Sequence, residues 1–237
     1  MKKLIILLIL VSFFSCKKTE IKIPTLPNKG IEKVIYNHSE VWMFFTLNEN
    51  DTIADINRKN TIATTHWIYN IDKRLPLKTI INSINKLQYK HANSIHSKKG
   101  MHDYFSYSDT ISKKLSFISF DSISFKTDSL LSKYVIKKSP KKYINFNNIN
   151  LTFSKNQLLL NDTEIKRSEF KKTLLDFIDF SSDNKITLLH LNFSEDILYA
   201  DFLNYLTLIN NLKTPKIKVD NEMFVFNKTK VPNCNCN

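Results

Sequence analysis

Cys16 is the side chain with the most specific chemistry in this 237-residue chain. Lys2 and Lys3 precede an apolar run from Leu4 to Phe14, and Ser15 stands between that run and the thiol. A positive segment, a short apolar segment and a small residue make an export signal with a cleavage point. The apolar run is too short to span a bilayer, which takes roughly 20 residues. A thiol is the nucleophile that acylation needs, and residues 1–16 are expected to be a signal peptide ending at Cys16. Lys17 and Lys18 follow and suit anionic headgroups. Cys234 and Cys236 form a Cys-x-Cys in the tail, where an oxidising envelope favours a short disulfide or pairing between chains.

The other reactive types are weaker. His91, His96 and His102 with Asp103 lie in one polar stretch, read as a loop. Histidines and a carboxylate can ligate zinc, but these spacings match no helical ligand pair, and exposed loop histidines are the expectation. His66 and His190 fall in predicted strands and read as satisfied sheet positions. Glu195-Asp196, and Asp176 with Asp179, could serve acid–base chemistry. Asp176 and Asp179 sit on the polar side of an amphipathic helix, which reads as a solvated face. There is no Gly-x-Ser-x-Gly elbow, and 2 Gly in total leave no phosphate-cradling loop. No catalytic residue, metal site or cofactor is therefore predicted, and the chain is not expected to be an enzyme.

The elements that must position these groups read as α+β. A hydrophobic content of 42% with 12% aromatics supplies a core. Residues 17–30, with Pro24, Pro27 and Gly30, read as a tether. An N-terminal module over 31–142 follows: strands at 41–47 and 60–71 around a turn at 48–51, and a helix over 75–90, with Pro76 at its start. After a loop at 90–103 come strands at 104–107 and 115–125, then a short helix near 128–135. The charged break at 137–142, with Pro140, reads as a domain boundary.

The second module, 143–227, begins with a hairpin of short strands at 150–153 and 157–160. Ser168 is placed to cap a helix with Phe170, Leu174, Leu175 and Ile178 on one face. A strand at 186–193 leads to a second helix, with Ser194 or Asp196 as cap and Leu198, Phe202, Tyr205, Leu206 and Ile209 inward. Residues 216–226 close the sheet and 228–237 form a tail. The order ββαβαβ implies a small mixed sheet with helices packed on one face. The stretch 40–90 also runs strand, strand, helix, so the chain is readable as two ββαβαβ-like modules.

The second module resembles the periplasmic domain of the ExbD/TolR family. The likeness is carried by Leu158-Leu159-Leu160-Asn161-Asp162-Thr163-Glu164-Ile165, by Ser168-Glu169-Phe170, by Asn192 at a strand end, and by Tyr199-Ala200 at a helix start. Asp162 and Ala200 stand where that family often has Gly. Family members also carry a membrane-buried acid, which Leu4 to Phe14 lacks. Phe13-Phe14-Ser15-Cys16 resembles a lipobox, which implies that residues 1–16 are a lipoprotein signal peptide ending at a lipidated Cys16, and with the heavy use of Asn, Lys and Ile it resembles a Bacteroidetes-type lipoprotein. The resemblance implies a domain that kept the periplasmic fold without the proton-handling span.

The net charge of +13 favours anionic partners. Outside the cytoplasm that means a membrane surface or lipopolysaccharide and no nucleic acid, but the lysines are spread along the chain, as in Lys137-Lys138, Lys141-Lys142 and Lys171-Lys172, and solvated faces are the favoured reading. The expected function is a lipid-anchored, periplasm-facing binding or adaptor protein, accessory to a proton-driven transport or envelope-integrity complex. Its expected partners are the membrane, through the anchor, and an envelope protein complex or peptidoglycan. Asn192, Tyr199, Lys216 and Lys218 are its candidate binding residues, the two lysines through strand addition at 216–226. The alternatives are an extracytoplasmic hydrolase or polymer-modifying enzyme, and a structural lipoprotein.

Overall fold

The computed structural model describes residues 20–27, 34–49 and 51–232. Cys16, Cys234, Cys236 and the signal segment lie outside these. Among the described residues, two six-stranded mixed sheets and five helices confirm the α+β class. The first sheet contains β1 (Thr25–Leu26), β2 (His38–Asn48), β3 (Asp51–Asn57), β4 (His66–Ile71), β5 (Asp103–Asp109) and β6 (Lys114–Ser119). Across it the order is β3-β2-β4-β5-β6, and β1 pairs in parallel with the far end of β5, at Ser108 and Asp109. Helix α1 (Leu77–Ala92) connects β4 to β5.

The second sheet takes β7 (Ser124–Lys126) and, after the short helices α2 (Ser132–Lys138) and α3 (Pro140–Tyr143), the strands β8 (Phe146–Phe153), β9 (Leu158–Leu160) and β10 (Thr163–Glu164). Helix α4 (Phe170–Ser181), β11 (Ile186–Ser194), α5 (Tyr199–Asn210) and β12 (Ile217–Phe226) complete it, in the order β10-β9-β8-β11-β12-β7. The chain thus crosses between sheets at 120–123, ahead of the break at 137–142. The segment read as a tether also begins to fold early: Pro24 and Leu26 are buried against β5.

The two sheets repeat one unit. In each, an antiparallel hairpin (β2-β3, β8-β9) is followed by a strand parallel to its first arm (β4, β11), a helix (α1, α5) and a further parallel strand (β5, β12). A turn at 58–65 stands in the first copy where α4 stands in the second. The copies meet about a local two-fold. Leu77 N–H donates to Ile197 O (3.0 Å) and Tyr199 N–H to Leu75 O (2.8 Å); Lys78 N–H donates to Glu195 O (2.8 Å) and Ala200 N–H to Lys73 O (3.2 Å). These amides open α1 and α5, whose first turns would otherwise leave N–H groups without acceptors. Each helix is therefore capped by the other copy's backbone. Neither has a side-chain cap, so Ser194 and Asp196 do not cap α5; the Ser194 hydroxyl instead donates to Asp196. Ser168 does not cap α4 either, and lies in a single 3₁₀ turn before it.

One core serves both copies. Phe202 of α5 meets Phe105 of the first sheet at 6.1 Å and Phe193 of the second at 4.9 Å. Lying between two sheets, α5 buries most of its circumference, which fits its apolar sequence. Helix α1 keeps one polar face, burying Ile80, Ile81, Ile84 and Leu87.

Candidate functional site

Several clefts among the described residues bring unlike side chains together, and two on the first repeat carry distinct chemistry. One is a cleft of about 420 Å³ at the C-terminal end of α1, between Gln88, His91, Asp103, Asp121 and the loop carrying Lys98 and Lys99. His91 is not a loop histidine. The helix runs past Lys90, and His91 is buried with its ring 4.2 Å from that of Trp67, stacked. Its Nδ1 lies 2.8 Å from Asp103 Oδ1 and its Nε2 3.0 Å from Thr65 O. Burial opposes a charge there, but the Asp103 carboxylate and the Thr65 carbonyl outweigh it and raise the His91 pKa. Both ring nitrogens face acceptors, so the imidazolium satisfies the site and a neutral ring would not.

The same network continues outward. His102 Nδ1 lies 2.7 Å from Asp121 Oδ2, which also accepts from Ser119 Oγ at 2.8 Å, while Asp121 Oδ1 accepts from the Asp103 amide. His66 stacks on His102 at 5.5 Å, and its Nδ1 accepts from the His102 amide at 3.0 Å. Burial, then the neighbouring His102, lowers the His66 pKa. His96 is exposed and takes no part. These acids and imidazoles bind one another, which makes the cluster a brace between α1, β4, β5 and the 120–123 connection. Among the described residues, no group of three or more His, Cys, Asp or Glu is placed to hold a metal ion.

The other feature is a groove of about 290 Å³ on the outside of the first sheet, away from the shared core. Ile35 lies over Ile68, Tyr104 and Phe117 in a small separate apolar cluster. Val34 (58% exposed) and Leu115 (49%) form one side of the groove, and Glu40 and Lys114 supply opposite charges at its rim. Trp42 and Phe44, half-buried and stacked at 6.1 Å, extend the apolar face toward β3. Beneath it, Asn70 accepts from Ser106 Oγ at 2.6 Å, and its Nδ2 has no acceptor among the described residues.

The candidate binding residues of the second repeat lie elsewhere. Asn192 is 1% exposed. Its Oδ1 accepts from Ser132 N–H (2.7 Å), and its Nδ2 donates to Ser132 Oγ (2.9 Å) and Leu151 O (3.1 Å). It fastens α2 to the sheet and is closed to a partner. Tyr199 is fully buried beneath the capping junction, and burial pushes its phenol well up. Lys216 and Lys218 are exposed, but β12 is an interior strand, with β7 covering its outer side at residues 222–224. Strand addition at 216–226 is thereby blocked over that half. His190 is a satisfied sheet position, with Nδ1 2.9 Å from Asp220 and Nε2 2.9 Å from Asn148 Oδ1. Burial opposes ionisation of Asp220, yet His190, the Glu222 amide and Lys142 hold its carboxyl below the usual range. Glu195 accepts from Asn227 Nδ2, and Asp176 and Asp179 are exposed.

No protein-family model, curated protein or solved structure matches this chain. Among the described residues, no helix is long and apolar enough to cross a membrane.

Proposed function

We propose that this chain is a lipid-anchored envelope binding module that engages a protein partner through the outer groove of its first sheet. The observation that carries the reading is apolar surface at Val34, Leu115, Trp42 and Phe44, where the other copy of the same unit is polar and covered by its own chain. Apolar surface that the fold leaves uncovered is what a partner would bury. The opposite charges of Glu40 and Lys114 at the rim suit a polypeptide partner more than a uniformly charged polymer. The ExbD/TolR resemblance of the second repeat, and the lipidation expected at Cys16, support a partner in the envelope, next to a proton-driven complex. The histidine–aspartate cleft serves as a brace in this reading, with no reaction assigned to it.

A photo-crosslinking residue at Leu115, introduced in cells, is expected to yield one discrete protein adduct that Val34→Asp abolishes. The same residue at Phe180, 88% exposed on the second repeat, is expected to yield none. Equal labelling from both positions, or an adduct indifferent to Val34→Asp, overturns the groove. Palmitate incorporation that is lost with Cys16→Ser tests the anchor.

A further inference from the structure

The chain enters the fold very close to the expected lipid. Only Lys17, Lys18 and Thr19 separate Cys16 from Glu20, where the described structure begins. Fully extended, such a span covers about 14 Å at most. From Glu20 the chain is held down at once. Lys22 N–H donates to Asp72 Oδ2 (3.0 Å), Lys73 N–H to Lys22 O (2.7 Å), Ser108 N–H to Pro24 O (2.8 Å) and Thr110 N–H to Leu26 O (3.0 Å). The rim of the first sheet, where β4 and β5 end, is therefore the part of the domain that a lipid on Cys16 holds against the bilayer.

That rim has a composition suited to the task. Lys22, Lys73, Lys113 and Lys114 are all exposed, and among the described residues none of the four forms an ion pair. The β5–β6 turn beside Leu26 presents Ile111, 60% exposed, two residues before Lys113. Of the acids nearby, Asp72 takes Arg74 in a two-point pair (2.8 and 2.7 Å), Asp109 is buried and accepts from the Ile111 amide at 2.8 Å, and Glu20 is exposed. Lysines around a protruding aliphatic side chain match an anionic headgroup layer, which offers charge at its surface and apolar depth below.

We infer that the end of the first sheet, with Lys22, Lys73, Lys113, Lys114 and Ile111, is a docking surface for anionic lipid headgroups. It acts as the second signal that a single chain-end anchor needs for a fixed attitude on the membrane. The inference rests on the lipid-anchor reading for its proximity, but the surface can be tested without the lipid.

The test uses the full chain carrying Cys16→Ser, sedimented with vesicles of phosphatidylcholine alone or mixed with phosphatidylglycerol. The apolar leader is common to every variant and cancels in the comparison. At 0.1 M salt the mixed vesicles are expected to bind about five-fold more tightly or better, and 0.5 M salt should remove the excess. Changing Lys22, Lys73, Lys113 and Lys114 to Gln should remove most of that excess, and Ile111→Ser should weaken binding about two-fold. The same number of changes at Lys137, Lys138, Lys171 and Lys172 should leave it within about two-fold of the parent. An equal loss in that control set means diffuse charge and overturns the surface, as does binding indifferent to lipid charge. Palmitate incorporation separates the two readings. Labelled Cys16 with a rim no better than the control sinks the docking surface alone; rim-dependent binding without label sinks the anchor alone.

Discussion

Where the second repeat has Asn192, the first has Asn70. On the strand beside it, Thr152 corresponds to Trp42, and two residues back His190 corresponds to Ile68. The outer side of the second sheet is thus polar, and the linker folds down on it. Ser132 grips Asn192, Ser132 Oγ also donates to Asn150, and the Tyr143 ring packs edge-on over His190 at 5.3 Å. The outer side of the first sheet carries more apolar side chains and, among the described residues, receives Val34 to Tyr36. One architecture has been finished in two ways, closed over itself in one copy and left receptive in the other. A shared fold does not carry a shared function, since function resides in what each face presents.

The largest effect that could break this comparison lies between the copies. Phe202→Ala should cost about 3–5 kcal/mol. Because α5 touches both sheets, the loss should register equally in far-ultraviolet dichroism and in the fluorescence of Trp42 and Trp67, both in the first sheet. A fluorescence midpoint that stays put while dichroism shifts would mean two independent cores. Next come the paired amides. Asn192→Ala strands the buried Ser132 amide and removes the bond to Leu151 O, while the Ser132 hydroxyl keeps Asn150, and should cost about 2–3 kcal/mol in urea unfolding. Asn70→Ala should cost about 1 kcal/mol, since only the Ser106 bond is lost. Equal costs would erase the distinction between a covered and an uncovered face.

The two histidine–aspartate pairs should separate in pH. The His91 pKa is raised in the folded state, so its stabilisation is fully present below the unfolded value near 6.5 and is lost as pH rises through the raised one. The stability gap between parent and His91→Gln should therefore be widest near pH 5.5 and narrow toward pH 9. Asp220 is depressed, so its contribution is present above its unfolded value near 4 and is lost as pH falls through the folded one. The gap to Asp220→Asn should hold from pH 7 to 5 and close below that. The smallest effect is expected at the groove. Leu115→Asp, on an exposed side chain, should move stability by no more than about 0.5 kcal/mol while removing partner contact.

The periodic elements were legible from the residues: the spacing of Ile80, Ile81, Ile84 and Leu87, the Phe170 and Phe202 faces, and the hairpin around Ser154. Strand β3 was not, because an edge strand reading Asp51-Thr52-Ile53-Ala54-Asp55-Ile56-Asn57 keeps three of its four outward positions polar and merges into a turn signal. β7 was absorbed into β6, since only topology shows that Ser124–Lys126 pairs with β12. The caps failed because the groups that satisfy α1 and α5 are main-chain carbonyls of the opposite copy, and carbonyls have no residue type. His91 was misplaced because its partner Asp103 follows a long loop. Asn192 and Tyr199 were conspicuous as polar markers, yet polarity at a strand end or helix start does not say whether solvent or a linker will lie above it. Repetition of the unit was only suggested, for corresponding positions such as Ile68 and His190 have diverged in chemistry while keeping their place in the register.

The reciprocal capping also has a bearing on biogenesis. Helix α1 leaves the ribosome long before residues 195–197 exist, so its leading amides can bond only to water until the second half arrives. A nascent or truncated first half would expose Phe105 and an unfinished helix start together. Such a polypeptide should be held by chaperones until the whole chain is available, and maturation of the first half should then wait on the last third of translation.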